Sequence, residues 1–462
     1  MSRTLLDTRG GDATAAPLPG APAAQAAVAP RWSRAPRAQA PAARASTGPT
    51  TASGWPLGPA PRSYVVANVR AVLADRVTDG ASVVVEDGLI VDVLEGGAAV
   101  PGDIDGRGML LAPGLIDVHS DALEKERAPR PSAELPLDFA LASFESKIVA
   151  AGITTMFHGT GFHAKMSEGF QRTPEKSLQV CLTVDGHRSN RVDHRILHRF
   201  NLRGEGRDVL EERLAHLPEG HPPILLSHED HTPGQGQYAD VGLYVDSLVK
   251  GGEKRADVEE KVRQMMERAR ETEALREENL AWMGALAASG RARLLGHDPD
   301  DAQAIDDLVA RGGAIAEFPT TREAARRARE VGLVSVAGAP NVLRGGSHAG
   351  NISAAELVRE GLVDALASDY LPTGLLGAVA TLVRERTVDL PAALALVTSG
   401  PARVADLTDR GRIAPGLRAD LVLIDWSGAW PHVAATLRSG DAAEDGPDRA
   451  AADREHAAEV LS

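Results

Sequence analysis

The chain has 462 residues, of which 43% are hydrophobic and 25% charged, a balance that permits a large core and argues against wholesale disorder. A net charge of −14 and an aromatic content of 3% argue against nucleic acid and anionic membranes as partners. The single cysteine, Cys181, can make neither an internal disulfide nor a multi-cysteine zinc site, so any metal must rely on histidine and carboxylate ligands.

Residues 1–62 are rich in Ala, Pro, Arg and Gly, with seven arginines against only Asp7 and Asp12, a local charge of +5 that leaves −19 for the remainder. Too little apolar surface is present there to offset the ordering entropy, so a disordered arm is expected. It lacks the uninterrupted apolar stretch of a secretory signal, and no run of about 18 apolar residues occurs anywhere to span a membrane. A cytoplasmic location is the expectation.

Structure is expected from Ser63. The β-rich run Ser63–Leu73 is followed by Ala81–Glu86 and Leu89–Val93, which flank Asp87-Gly88, a strong hairpin signal. From about Leu111 to Ala405, short apolar runs alternate with helical patterns. Candidate strands are Leu115–His119, Ile153–His158, Leu197–Glu205, Ile224–His228, Arg293–His297, Ala314–Phe318, Val334–Ala337 and Ala365–Asp369, with Leu178–Val184 a rival for the third. Eight strands interleaved with helices fit a distorted (β/α)8 barrel of the α/β class. Residues 241–289 read as a charged helical excursion after the fourth strand. Near the C-terminus, Ala419–Asp425 is again β-rich. The expected plan is a composite β-sandwich from residues 63–112 and 406–430, a barrel over 113–405, and a flexible tail over 431–462.

The polar residues fall at strand ends: His119 and Asp121, Glu205, the run His228-Glu229-Asp230-His231, His297 and Asp298, and Asp369. C-terminal strand ends of a barrel converge on one mouth, where imidazole and carboxylate together can hold Zn²⁺ or Mn²⁺. For one strand end, simple hydrogen-bonded capping explains such residues as well as function does. Five together favour a site.

Ala112-Pro113-Gly114-Leu115-Ile116-Asp117-Val118-His119, the upstream hairpin and the Gly411–Asp420 segment resemble the amidohydrolase superfamily. Further motifs resemble one branch of it, the diphosphatases of the carbon–phosphorus lyase pathway. They are His119–Lys125 followed by Pro129-Arg130-Pro131, Leu202–Glu205, Asp230–Gln235, Ala316–Thr321, Gly338–Asn351 and Ser368-Asp369-Tyr370. The resemblance implies a metal-dependent barrel with a β-sandwich. The implied activity is hydrolysis of a small phosphorylated ribosyl phosphonate, α-D-ribose 1-methylphosphonate 5-triphosphate, to the 5-phosphate and pyrophosphate.

It implies one or two divalent ions, zinc first, with manganese or iron as alternatives. His119, Asp121 and Asp369 would hold the first ion and His231 and His297 the second. Glu205 would bridge them, and Asp369 would also act as general base. His228 rivals His231, and Asp298 would support His297 from behind. Lys125, Arg130, Arg344 and His348 are the candidates for binding the phosphates and phosphonate. Glu126, where relatives often carry histidine, and the basic arm depart from the pattern. A hydrolase of C–N bonds and a non-catalytic homologue stay open as alternatives. Superfamily members often assemble as homo-oligomers, and nothing in the sequence marks an interface.

Overall fold

The computed structural model describes residues 61–96, 102–167, 170–189, 191–347 and 350–439. Residues 1–60 of the expected arm, the end of the expected tail and His348 lie outside these residues.

The N-terminal flank forms strands β1 (Tyr64–Val72), β2 (Val77–Glu86), β3 (Leu89–Leu94), β4 (Ile104–Asp105) and β5 (Leu110–Pro113). At the β2–β3 hairpin both Asp87 and Gly88 take positive φ, 49° and 79°, as a two-residue turn compatible with strand twist requires.

The chain then builds β6 (Leu115–Ser120), β7 (Ile153–Gly161), a short hairpin of β8 (Lys165–Ser167) and β9 (Phe170–Arg172), and β10 (Asp193–Asn201). Next come β11 (Ile224–Glu229), β12 (Ala292–His297), β13 (Gly313–Glu317), β14 (Val334–Gly338) and β15 (Ala365–Ala367). Apart from the short hairpin these make an eight-stranded sheet, each strand pairing parallel with its neighbour. The barrel closes between its first and last strands: Asp369 N–H donates to the His119 carbonyl at 2.9 Å, and Asp121 N–H to the Asp369 carbonyl at 2.7 Å.

The third barrel strand starts at Asp193, not Leu197, and stops at Asn201. Its rival segment is helical, within Pro174–Gly186. Thr173 caps that helix by accepting a hydrogen bond from Lys176 N–H, and Pro174 pre-sets its first turn. Residues 241–289 are indeed helical, as Val241–Lys250, Arg255–Glu271 and Glu273–Ala288.

Two last strands, β16 (Leu421–Asp425) and β17 (His432–Leu437), return to the first sheet and complete seven strands, β16 pairing antiparallel with β5. The sheet thus runs past residue 430, into what reads in sequence as tail. In β16 the side chains alternate between two cores. Leu421 and Leu423 pack with Val66, Val83, Ile90 and Leu111 in the sheet's own core, whereas Val422 and Ile424 join the core between barrel and helices.

Inside the barrel the two-residue period sorts each strand. Leu197, Leu225, Leu295, Ile315, Val336 and Ala365 form an inner apolar floor. The residues two and four further on rise from that floor toward the mouth. No helix among the described residues is long and apolar enough to cross a membrane.

Candidate metal centre

Counting upward from the floor in steps of two gives Arg199 and Asn201 on β10, Ser227, Glu229 and His231 from β11, His297 on β12, Glu317 on β13 and Asp369 after β15. On β6 the pairing with β7 is irregular between Asp117 and Ser120. Beyond it His119 and Asp121 face the mouth, although Leu115, on the same period, belongs to the outer core. The mouth opens into a cavity of about 540 Å³, lined by His119, Asp121, Arg199, His231, His297 and Asp369, among others.

Glu317 organises the floor of this cavity. It is fully buried, with Oε1 accepting from His119 Nδ1 at 2.7 Å and Oε2 accepting from His297 Nδ1 at 2.7 Å. The Ser227 hydroxyl donates to Oε2 at 2.5 Å. Burial opposes its charge, but the two imidazoles and their hydrogen bonds hold its carboxyl well below the ordinary range. With Nδ1 committed on both rings, Nε2 is the atom left to serve the cavity.

His119 Nε2 lies 3.6 Å from Asp121 Oδ1, an oxygen that is buried and has no hydrogen-bond partner. His297 Nε2 lies 3.5 Å from Asp298 Oδ2, which is buried and unpartnered in the same way. Two donor sets result: His119, Asp121 and Asp369, and His231, His297 and Asp298. Aligned imidazole nitrogens beside orphaned carboxylate oxygens suit a divalent cation, so these residues fit a metal.

Arg199 spans the other side, forming ion pairs with both Asp121 and Glu229. Burial works against the charge of Glu229, but Arg199 and the neighbouring imidazoles pull its carboxyl down to about 2. Burial raises Asp298 to about 6 and Asp369 above its ordinary value. Burial lowers His231 to about 4, leaving a neutral ring. Gly159 on β7 leaves space for this group, since a Cβ there would meet Asp121 Oδ1 at 2.5 Å. Asp298, Phe318 and Asp369 take φ of 52°, 56° and 56° just past their strands, a costly conformation for non-glycine residues and most of all for phenylalanine.

Of the residues expected from sequence, His119, Asp121, His231, His297 and Asp369 are brought together. Asp298 joins them. His228 points off the inward period and does not line the cavity, and its buried Nε2 has no hydrogen-bond partner. Glu205 is not brought in. Because β10 ends at Asn201, Glu205 lies beyond the strand, solvent-exposed, and belongs to none of the donor groups. Glu229, on the inward period of β11, is buried and ion-paired with Arg199, and like Glu205 it belongs to none of the donor groups.

Among the phosphate-binding candidates, Arg344 lines the cavity from an exposed position. Lys125 lies outside the lining, with Nζ 5.9 Å from the ring of Tyr370, which does line it. Arg130 is exposed in a turn away from the cavity, and His348 falls outside the described residues. Glu126 turns to Ser143 and Lys147, at 2.8 and 2.6 Å, so it bonds to the helix Leu137–Ala150 and not to the mouth. The sequence reading misses Glu317, Glu229 and Arg199, and also Lys165 and Asn201 in the lining. The signal for the first three was the two-residue period of strands β10, β11 and β13.

A parallel eight-stranded barrel with a side sheet and a His/carboxylate mouth is the architecture of the amidohydrolases. The amidohydrolase family model matches residues 253–458, and the chain belongs to that superfamily and is a hydrolase. It is 35% identical over 384 residues to the α-D-ribose 1-methylphosphonate 5-triphosphate diphosphatase of Escherichia coli (strain K12), covering 81% of this chain and 99% of that protein. Solved structures of similar fold include an enamidase, with TM-score 0.53 and 16% identity over 82% of this chain and 95% of that one. Dihydropyrimidinase from Brevibacillus agri NCHU1002 has TM-score 0.53 and 13% identity over 82% and 94%.

Proposed function

We propose that the protein hydrolyses α-D-ribose 1-methylphosphonate 5-triphosphate to the 5-phosphate and pyrophosphate, in the catabolism of organic phosphonates. The observation that carries this reading is the 35% identity extending over 99% of the Escherichia coli diphosphatase. The charge layout supports it. Carboxylates and imidazoles are buried at the base of the cavity, while the exposed Lys165 and Arg344 line its outer part, a gradient suited to a polyanion reaching toward a cation.

In this reading His119, Asp121 and Asp369, with His231 and His297, hold one or two divalent ions, zinc first. Glu205, exposed beyond the end of β10, would not be among these ligands. The metal supplies Lewis-acid polarisation of the reacting water and phosphoryl group. Asp369, raised above its ordinary value by burial, accepts the proton of that water. The water oxygen bonds to phosphorus, the anhydride between the first and second phosphoryl groups breaks, and pyrophosphate leaves. Arg344 and Lys165 bind the phosphoryl oxygens as charge redistributes. Arg199 keeps Asp121 and Glu229 ionised and fixed in place.

The test supplies the purified chain, loaded with Zn²⁺ or Mn²⁺, with the ribosyl triphosphate and measures pyrophosphate. Release is expected. A metal-loaded protein that releases none, or that cleaves only cyclic amides, overturns the assignment. Asp369→Asn should lower turnover by about 10²–10⁴-fold, and full activity in that variant would remove its role.

A further inference from the structure

A second group of ligand-type side chains lies outside the barrel, between its strands and the helical layer. Glu145 is on the helix Leu137–Ala150, His187 caps the end of the helix Pro174–Gly186, and His194 is the second residue of β10. Glu145 Oε2 stands 3.3 Å from His187 Nε2 and 3.2 Å from His194 Nε2. One ligand atom from each of the three lies within 4.8 Å of the others. Metal–ligand bonds of about 2.0–2.1 Å place neighbouring corners of a tetrahedron about 3.3 Å apart, the spacing found for both oxygen–nitrogen pairs. None of the three lines the barrel cavity.

The surroundings match what metal ligands need. His194 Nδ1 is 2.9 Å from His158 Nε2, so its other ring nitrogen is fixed by a partner. The second oxygen of Glu145 faces Arg191 Nη1 at 3.5 Å, which orients the carboxylate from behind. Burial keeps the His194 ring below its ordinary pKa and hence neutral. Burial opposes ionisation of Glu145, yet hydrogen bonds from His187 and His194 hold it well below the ordinary range.

We propose that Glu145, His187 and His194 bind a zinc ion at a site separate from the barrel mouth. The ion ties the two helices to the foot of β10, and water completes its coordination. The His₂Glu donor set is the same in kind as that of known zinc sites.

The experiment compares zinc per chain in the full-length wild type, His187→Ala and Glu145→Gln after equilibration in buffered Zn²⁺. Each variant is expected to hold about one equivalent less than the wild type, because a two-ligand remnant loses most of its affinity. Added Zn²⁺ should raise the unfolding temperature of wild type more than that of His187→Ala. His187 has 22% of its side chain exposed, so its truncation leaves a folded protein even where Glu145→Gln does not. Equal zinc content in wild type and His187→Ala overturns the proposal and leaves the three residues as a hydrogen-bonded cluster only.

Discussion

With one carboxylate oxygen on His119 and the other on His297, Glu317 selects the tautomer of both rings and aims their Nε2 atoms at the cavity. An amide at this position keeps the shape but can accept from only one ring. Glu317→Gln should therefore weaken metal binding by about 10–100-fold, the usual cost of losing a partner behind the ligands. Competition with a chelator measures this, and unchanged affinity would mean that the rings are oriented by other contacts. His119, Asp121, His297 and Asp369 were legible in sequence because ligands at strand ends leave an abrupt change from apolar to polar. Glu317 was hidden because it lies within its strand and reads as one more polar residue between Ala316 and Phe318. Arg199 was hidden for a different reason: arginine is normally a surface residue, and only its ion pairs with Asp121 and Glu229 make it an inside one.

Among the elements, β10 shows where the reading of sequence slipped. Its first residues, Asp193-His194-Arg195, look like loop, since all three are polar. They are held in the strand by tertiary partners: Asp193 accepts from Arg410 Nη1 at 2.6 Å, and Arg410 also donates to Thr155 Oγ1 at 3.0 Å. At its other end the strand stops at Asn201, so Glu205, a mouth residue on the strand-end pattern, lies past the strand. The same ion pair gives a test. Burial opposes the Asp193 charge, but Arg195 and Arg410 lower its pKa to about 2 from 3.8. A depressed carboxylate stabilises the fold above its unfolded pKa, and that stabilisation is lost as pH falls from about 4 toward 2. Asp193→Asn should cost about 2 kcal/mol at pH 7 and flatten the acid limb of the stability curve, read from urea melts between pH 6 and 3. Parallel curves for variant and wild type would refute this.

For the whole molecule, the two-faced strand β16 joins the sheet core to the barrel core, Leu421 and Leu423 packing in the one and Val422 and Ile424 in the other. Unfolding should accordingly be one transition. Val422→Ala removes about 2 kcal/mol from that single transition, lowering its midpoint without splitting it. Two resolved calorimetric transitions, one unmoved, would show independent domains. The barrel was legible as a whole because its strands and helices alternate locally, and the sheet was legible in its two halves. Their joining into one composite sheet was expected too, but the register of the β5–β16 ladder, and its continuation into β17 past residue 430, depend on contacts over a long separation that no local pattern encodes. This ladder also sets the order of events during synthesis. Leu111 pairs with Leu423, about 310 residues later. One edge of β5 is covered early by β1, and the other stays open on the ribosome until the barrel between them has been made. Late completion leaves Leu110–Pro113 as an open edge at which a nascent chain can misassociate, and a chain that stops before Leu421 carries that edge permanently.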